Sequence, residues 1–273
     1  MIYYDVLTNH NKNYTMKPAD WMKLAYQSEY GCAHALNDPE ASEKALLEEY
    51  VKTPADVLEP LYVEIGGNYS RLSLAAAKNK IPPELIFEMM KKSRAEGTDE
   101  GYDRKLRLTA KSAALGVISA DKNELEAWFE ANRDAIPSHS PLFKGLFHPH
   151  YRVVDTRFAK IAEALILICE VMKTGSEVRV AIDGRCGVGK TTVARTIAEI
   201  LPDIAINEGT YSLKDTDANV RILVDADPLT QRERLIERDG EAKFNELMET
   251  RIPAEEPYFM SLTPDDVDVI LKI

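Results

Sequence analysis

Along residues 1–150 apolar positions recur at helical rather than alternating spacing, and the starts of the helices are marked by proline. Lys17-Pro18-Ala19-Asp20 predicts a helix that runs to about Tyr30 and stops at Gly31. Asp38-Pro39-Glu40 opens a second, with Leu46, Leu47 and Tyr50 on one stripe. Pro82-Pro83-Glu84 opens a third, and further helices are expected near Tyr102–Leu115 and Lys122–Asn132. Ser138 to Tyr151, with two prolines and three of the five histidines, reads as a loop or boundary. Val153 to about Lys173 reads as one long apolar-faced helix ending at Gly175.

After Gly175 the pattern changes. Val178 to Asp183 is short, apolar and β-branched, as a buried strand should be. Thr191–Leu201 predicts a helix, Ile204–Asn207 and Val220–Val224 predict strands, and Asp227-Pro228 caps a helix through Glu237. A helix over Glu241–Thr250 and a strand over Val267–Leu271 follow. Strands alternating with helices predict a parallel α/β sheet. The organisation expected is a mostly helical domain over 1–152, a connecting helix over 153–175 and an α/β domain over 176–273.

Composition changes this picture little. The 273 residues are 45% hydrophobic and 29% charged, ordinary globular usage. The net charge of −11 argues against nucleic acid or an anionic membrane as the main partner. Three widely spaced cysteines, Cys32, Cys169 and Cys186, fit a reducing compartment. No basic segment followed by an apolar run opens the chain, and Ile161 to Met172 is too short and too charged to span a bilayer. A cytoplasmic protein is expected.

The chemistry is carried by Gly184-Arg185-Cys186-Gly187-Val188-Gly189-Lys190-Thr191, which fits G-x-x-x-x-G-K-[ST] without a mismatch. Glycines let backbone N–H groups turn inward around phosphates, and the following helix adds its positive end. Lys190 is expected to reach the outer phosphates of ATP or GTP, and the Thr191 hydroxyl to ligate Mg²⁺; Thr192 completes the run.

From Ile182 to Thr192 the segment resembles the P-loop of bacterial uridine-kinase-like proteins. Asn207-Glu208-Gly209-Thr210-Tyr211-Ser212 resembles a further segment of that group. Arg221 to Pro228, Gln231 to Arg234, Arg238 to Gly240 and Ile252 to Phe259 follow in its order. Tyr26 to His34 and His148 to Val154 resemble the helical domain fused to such kinases. The resemblance implies an ATP-dependent phosphotransferase acting on a nucleoside or other small hydroxyl acceptor. Glu208 would partner Mg²⁺, and Arg232, Arg234 and Arg238 would be lid arginines that neutralise the transferred phosphoryl. It also implies a 2-3-1-4-5 strand order. The chain departs from the family where the acceptor should bind. Only Pro202 to Asn207 separate Leu201 from Glu208, leaving no room for the family's second strand, its acidic pair or its acceptor insert. A reduced 3-1-4-5 sheet would result, its new edge covered by the N-terminal domain or by a second copy.

Each of these residues also has a plainer reading. Glu208 as an exposed turn glutamate, the arginines as a solvated helix face and Cys186 as packing stay open. His34, His139, His148 and His150 show no metal spacing, and Gly66-Gly67 with Tyr69 and Arg71 reads either as a binding loop or as a hairpin turn. Two functions remain: an active kinase, or a nucleotide-binding pseudokinase that switches or scaffolds without transfer.

Overall fold

A computed structural model describes residues 2–93 and 97–273. It divides into two compact units between Ala159 and Lys160. The first holds helices α1 (Tyr3–Asn13), α2 (Pro18–Tyr30) and α3 (Pro39–Lys52), then strands β1 (Tyr62–Gly66) and β2 (Tyr69–Ser73). Helices α4 (Leu74–Ala77), α5 (Pro83–Lys92), α6 (Asp99–Ala114), α7 (Lys122–Asn132) and α8 (Pro141–Phe147) follow, then β3 (Tyr151–Asp155) and α9 (Thr156–Lys160). The three strands form an antiparallel sheet in the order β1-β2-β3. Helix α2 is buried through Trp21, Met22, Leu24 and Ala25, and packs on β1, α6 and α7.

Proline at the first helical position starts α2, α3 and α5 where the sequence places them, and the carboxylate of Asp38 accepts from the Ala41 N–H to cap α3. Two expectations are corrected. Ser138–Tyr151 is not an open loop: Ser140 caps α8 by accepting from the Phe143 N–H, with Pro141 in the first turn, and Phe143 is buried. Val153 does not begin a helix either. Val153, Val154 and Asp155 pair with Arg71, Ser70 and Tyr69, so the apolar run that reads as helix starts as a buried strand. Gly66, Gly67 and Asn68 all have positive φ and turn the chain between β1 and β2, which selects the hairpin reading.

The second unit contains α10 (Ala162–Lys173), β4 (Arg179–Asp183), α11 (Lys190–Ile200), β5 (Ala205–Glu208) and β6 (Val220–Asp225). It continues through α12 (Pro228–Asp239), α13 (Glu241–Glu249), α14 (Arg251–Ser261) and β7 (Val269–Lys272). Its four strands are parallel and ordered β5-β4-β6-β7. The central strand β4 is buried from Val180 to Asp183, while β6 alternates, burying Val220, Ile222 and Val224. Helix α10 packs on β6 and β7, and α11 on β4 and β5. Asp227 caps α12, its carboxylate accepting from the Leu229 and Thr230 N–H groups. No helix among the described residues is long and apolar enough to cross a membrane.

Candidate functional site

The parallel strands bring their carboxyl ends together, and the turn from β4 into α11 lies there, between the neighbours β5 and β6. In open α/β sheets such a crevice is where ligands bind. Asp183 ends β4 fully buried. Its carboxylate accepts from the Gly184 N–H at 2.7 Å, the Tyr258 hydroxyl at 2.7 Å and the Leu213 N–H at 3.4 Å. One side chain thus ties the strand end to the turn, to α14 and to the segment after β5. Burial and the Asp183 charge together push the Tyr258 phenol up, so it stays a proton donor.

The turn needs glycine for reasons of space as well as conformation. Gly184 has φ 149°, and a Cβ there would collide with the Val224 carbonyl, because the turn lies directly on β6. Gly187 has φ 83°, and its Cβ would meet Leu235 of α12 at 2.6 Å. Cys186 is buried against Leu235 and Leu247, with Phe244 and Ile252 around them, so its thiol plugs the turn into α12 and α13. This is the packing role.

Lys190 opens α11. Its ammonium donates to the Gly184 carbonyl at 2.6 Å and the Arg185 carbonyl at 3.1 Å, which folds it back across the turn. Burial pulls its pKa down, opposed by negative groups nearby that include Asp183, Glu255 and Glu208. The residue before α11, Gly189, has no side chain to cap it, so the first-turn N–H groups are open to an external anion. One residue on, the Thr191 hydroxyl donates to Glu208 Oε1 at 2.9 Å, bringing together the two expected metal ligands from α11 and β5. Both are exposed. A hydroxyl and one carboxylate make too small a donor set to hold a free ion. They match Mg²⁺ that takes its other ligands from water and phosphate.

The arginines divide. Arg234 Nη1 donates to the Val188 carbonyl at 2.8 Å and so braces the turn. Arg238 forms a paired contact with Asp239 and lies 3.8 Å from Cys186 Sγ. Arg232 stands over the Phe244 ring. Arg185 makes a two-pronged bond to Glu256, at 3.0 and 2.8 Å, and lies over Phe259. Two residues that the motif reading left out of the site matter here: Asp183, already described, and Glu255. The Glu255 carboxylate accepts from Arg251 at 2.6 Å and from the Thr210 hydroxyl at 3.3 Å. Its Oε2 is buried without a hydrogen-bond partner among the described residues. Both glutamates of Glu255-Glu256 lie in a segment with two prolines that does not read as a helix, which hides their spacing in the sequence.

The histidines of the first unit do not converge on a metal; no group of three His, Cys, Asp or Glu suited to one occurs among the described residues. Comparison with family models, with curated proteins and with solved structures returned no match.

Proposed function

We propose that residues 160–273 bind a magnesium-complexed nucleoside triphosphate, ATP or GTP. The observation that supports this best is the Lys190 ammonium folded over a glycine turn at the mouth of an uncapped helix. In that position Lys190 and the α11 amides would receive the phosphates, and Thr191 with Glu208 would hold the metal ion. Arg234 would keep the turn in shape, and Arg238 would be the arginine free to exchange Asp239 for a phosphoryl oxygen.

Phosphoryl transfer to a nucleoside or another small hydroxyl acceptor, in the manner of uridine-kinase-like proteins, is the activity that the resemblance implies. One observation favours the second reading, nucleotide binding without efficient transfer. Helix α11 ends at Ile200 and β5 begins at Ala205, so no strand carrying an acceptor-side carboxylate fits between them. Transfer needs a positioned acceptor as well as a gripped donor, and loss of a general base alone costs about 10²–10⁴-fold.

Two measurements on the purified chain test this pair of statements. Hydrogen exchange with MgATP should protect residues 184–192 selectively; unchanged exchange there would refute the binding site. Labelled ATP with a panel of nucleosides and small alcohols should give turnover near background. Robust acceptor-dependent transfer abolished by Lys190→Ala would establish the active kinase and overturn the second reading.

A further inference from the structure

Two segments of the first unit, Tyr26–His34 and His148–Val154, resemble the helical domain fused to uridine-kinase-like proteins. They meet across a cavity of about 540 Å³. Gln27, Cys32 and His34 line it from one segment, and His148 to Val153 from the other. Helix α3 supplies Glu49, and α8 supplies Lys144. The volume is that of a small-molecule site.

Its charge is opposite to that of the chain. Against a net −11, the lining carries Lys23, Lys144 and Arg152 as cations and Glu49 as its one carboxylate. Glu49 is already engaged, bonded to Arg152 at 2.7 Å and to His150 at 3.0 Å. Neither lysine ammonium has an ion-pair or hydrogen-bond partner among the described residues. Behind Gln27 lies a further positive charge. Arg71 is buried, donates among the described residues to the neutral Gln27 Oε1 at 3.0 and 2.8 Å, and lies 4.7 Å from the centre of the Tyr151 ring.

These contacts fix the Gln27 amide with its oxygen toward Arg71, which leaves its NH₂ as a donor. His34 Nδ1 is buried without a hydrogen-bond partner among the described residues. Burial, with the charges of Arg71 and Lys144 beside it, pushes Lys23 down to about 8. A bound anion would reverse that strain. Cys32, Ala35, Ala45, Met90 and Val153 complete the wall with apolar surface.

We propose that this cavity binds a small organic phosphate, its phosphoryl group held by Lys23 and Lys144 and its organic part against the apolar wall. Two unpaired ammonium groups match a dianion in charge, and lysine binds phosphate as a point charge without a fixed fork geometry. The apolar wall and the volume exceed what inorganic phosphate alone would fill.

The test uses the full chain carrying Lys190→Ala, which removes the lysine of the second-unit loop. Calorimetric titration compares ribose 5-phosphate, glucose 6-phosphate and adenosine 5′-monophosphate with ribose, glucose and adenosine. At least one ester should bind while its parent does not, and Lys23→Gln with Lys144→Gln should weaken it by roughly tenfold or more. Lys144 is exposed, so Lys144→Gln alone should show a smaller loss if the double variant is unstable. The proposal is overturned if no ester binds at millimolar concentration, if ester and parent bind alike, or if affinity survives the lysine substitutions.

Discussion

His139 shows how a single side chain can carry a measurable property of the first unit. It is buried with Asp20 and stacked on Phe143. Its Nδ1 lies 3.0 Å from Asp20 and its Nε2 2.6 Å from the Tyr151 hydroxyl, which itself donates to Gln27 Oε1. Burial is the main cause that lowers His139 to about 4; His10, also buried, falls to about 3. In the unfolded chain both titrate near 6.5. Between pH 6.5 and 4 the unfolded state therefore binds more protons, and stability falls as pH falls, by up to about 1.4 kcal/mol per pH unit for each histidine. Asp20 is held below its usual value by hydrogen bonds that outweigh burial, so its contribution is lost only at still lower pH. Both tryptophans, Trp21 and Trp128, lie in this unit and report on it. The urea midpoint read by tryptophan fluorescence should be lower at pH 5 than at pH 7, and His139→Gln should flatten the difference. Equal midpoints would contradict a neutral buried pair.

At the scale of elements, the turn from β4 to α11 depends on close approach as much as on residue type. Gly184→Ala forces a methyl group against the Val224 carbonyl at a φ that side chains rarely adopt, and should cost about 1–3 kcal/mol. The second unit has no tryptophan. The loss should therefore appear in far-UV circular dichroism and leave the tryptophan transition in place; an unmoved dichroism midpoint would refute the packing described. This turn was legible from sequence because glycine spacing and the flanking β-branched strand are local signals. So were α2, α3, α5 and α7, whose starts are written as proline or a capping aspartate. The strand at Val153 was not, since a buried strand and a buried helix segment share an apolar run, and only pairing with β2 decides. Helix α14 was hidden by Pro257 inside it, and the Asp20–His139 contact joins residues too distant in sequence for any spacing rule.

For the whole molecule, the central question is how a protein of net charge −11 would serve the two anion sites proposed for it. In each, a few cations and open donors act locally, and neither requires a basic surface. The edge strand β5 is four residues long and ends in exposed Asn207 and Glu208, features that blunt edge-to-edge pairing. A strand so blunted does not by itself require the cover, N-terminal domain or second copy, expected for this edge. Everything proposed for residues 160–273 rests on Lys190 and the amides of α11 receiving phosphate. Isothermal titration of the full chain with MgATP measures this most directly. Saturable binding is predicted for the native sequence, weakened several-fold or more by Lys190→Ala with the fold intact. The absence of binding at millimolar MgATP, or equal affinity in the Lys190→Ala protein, would contradict it.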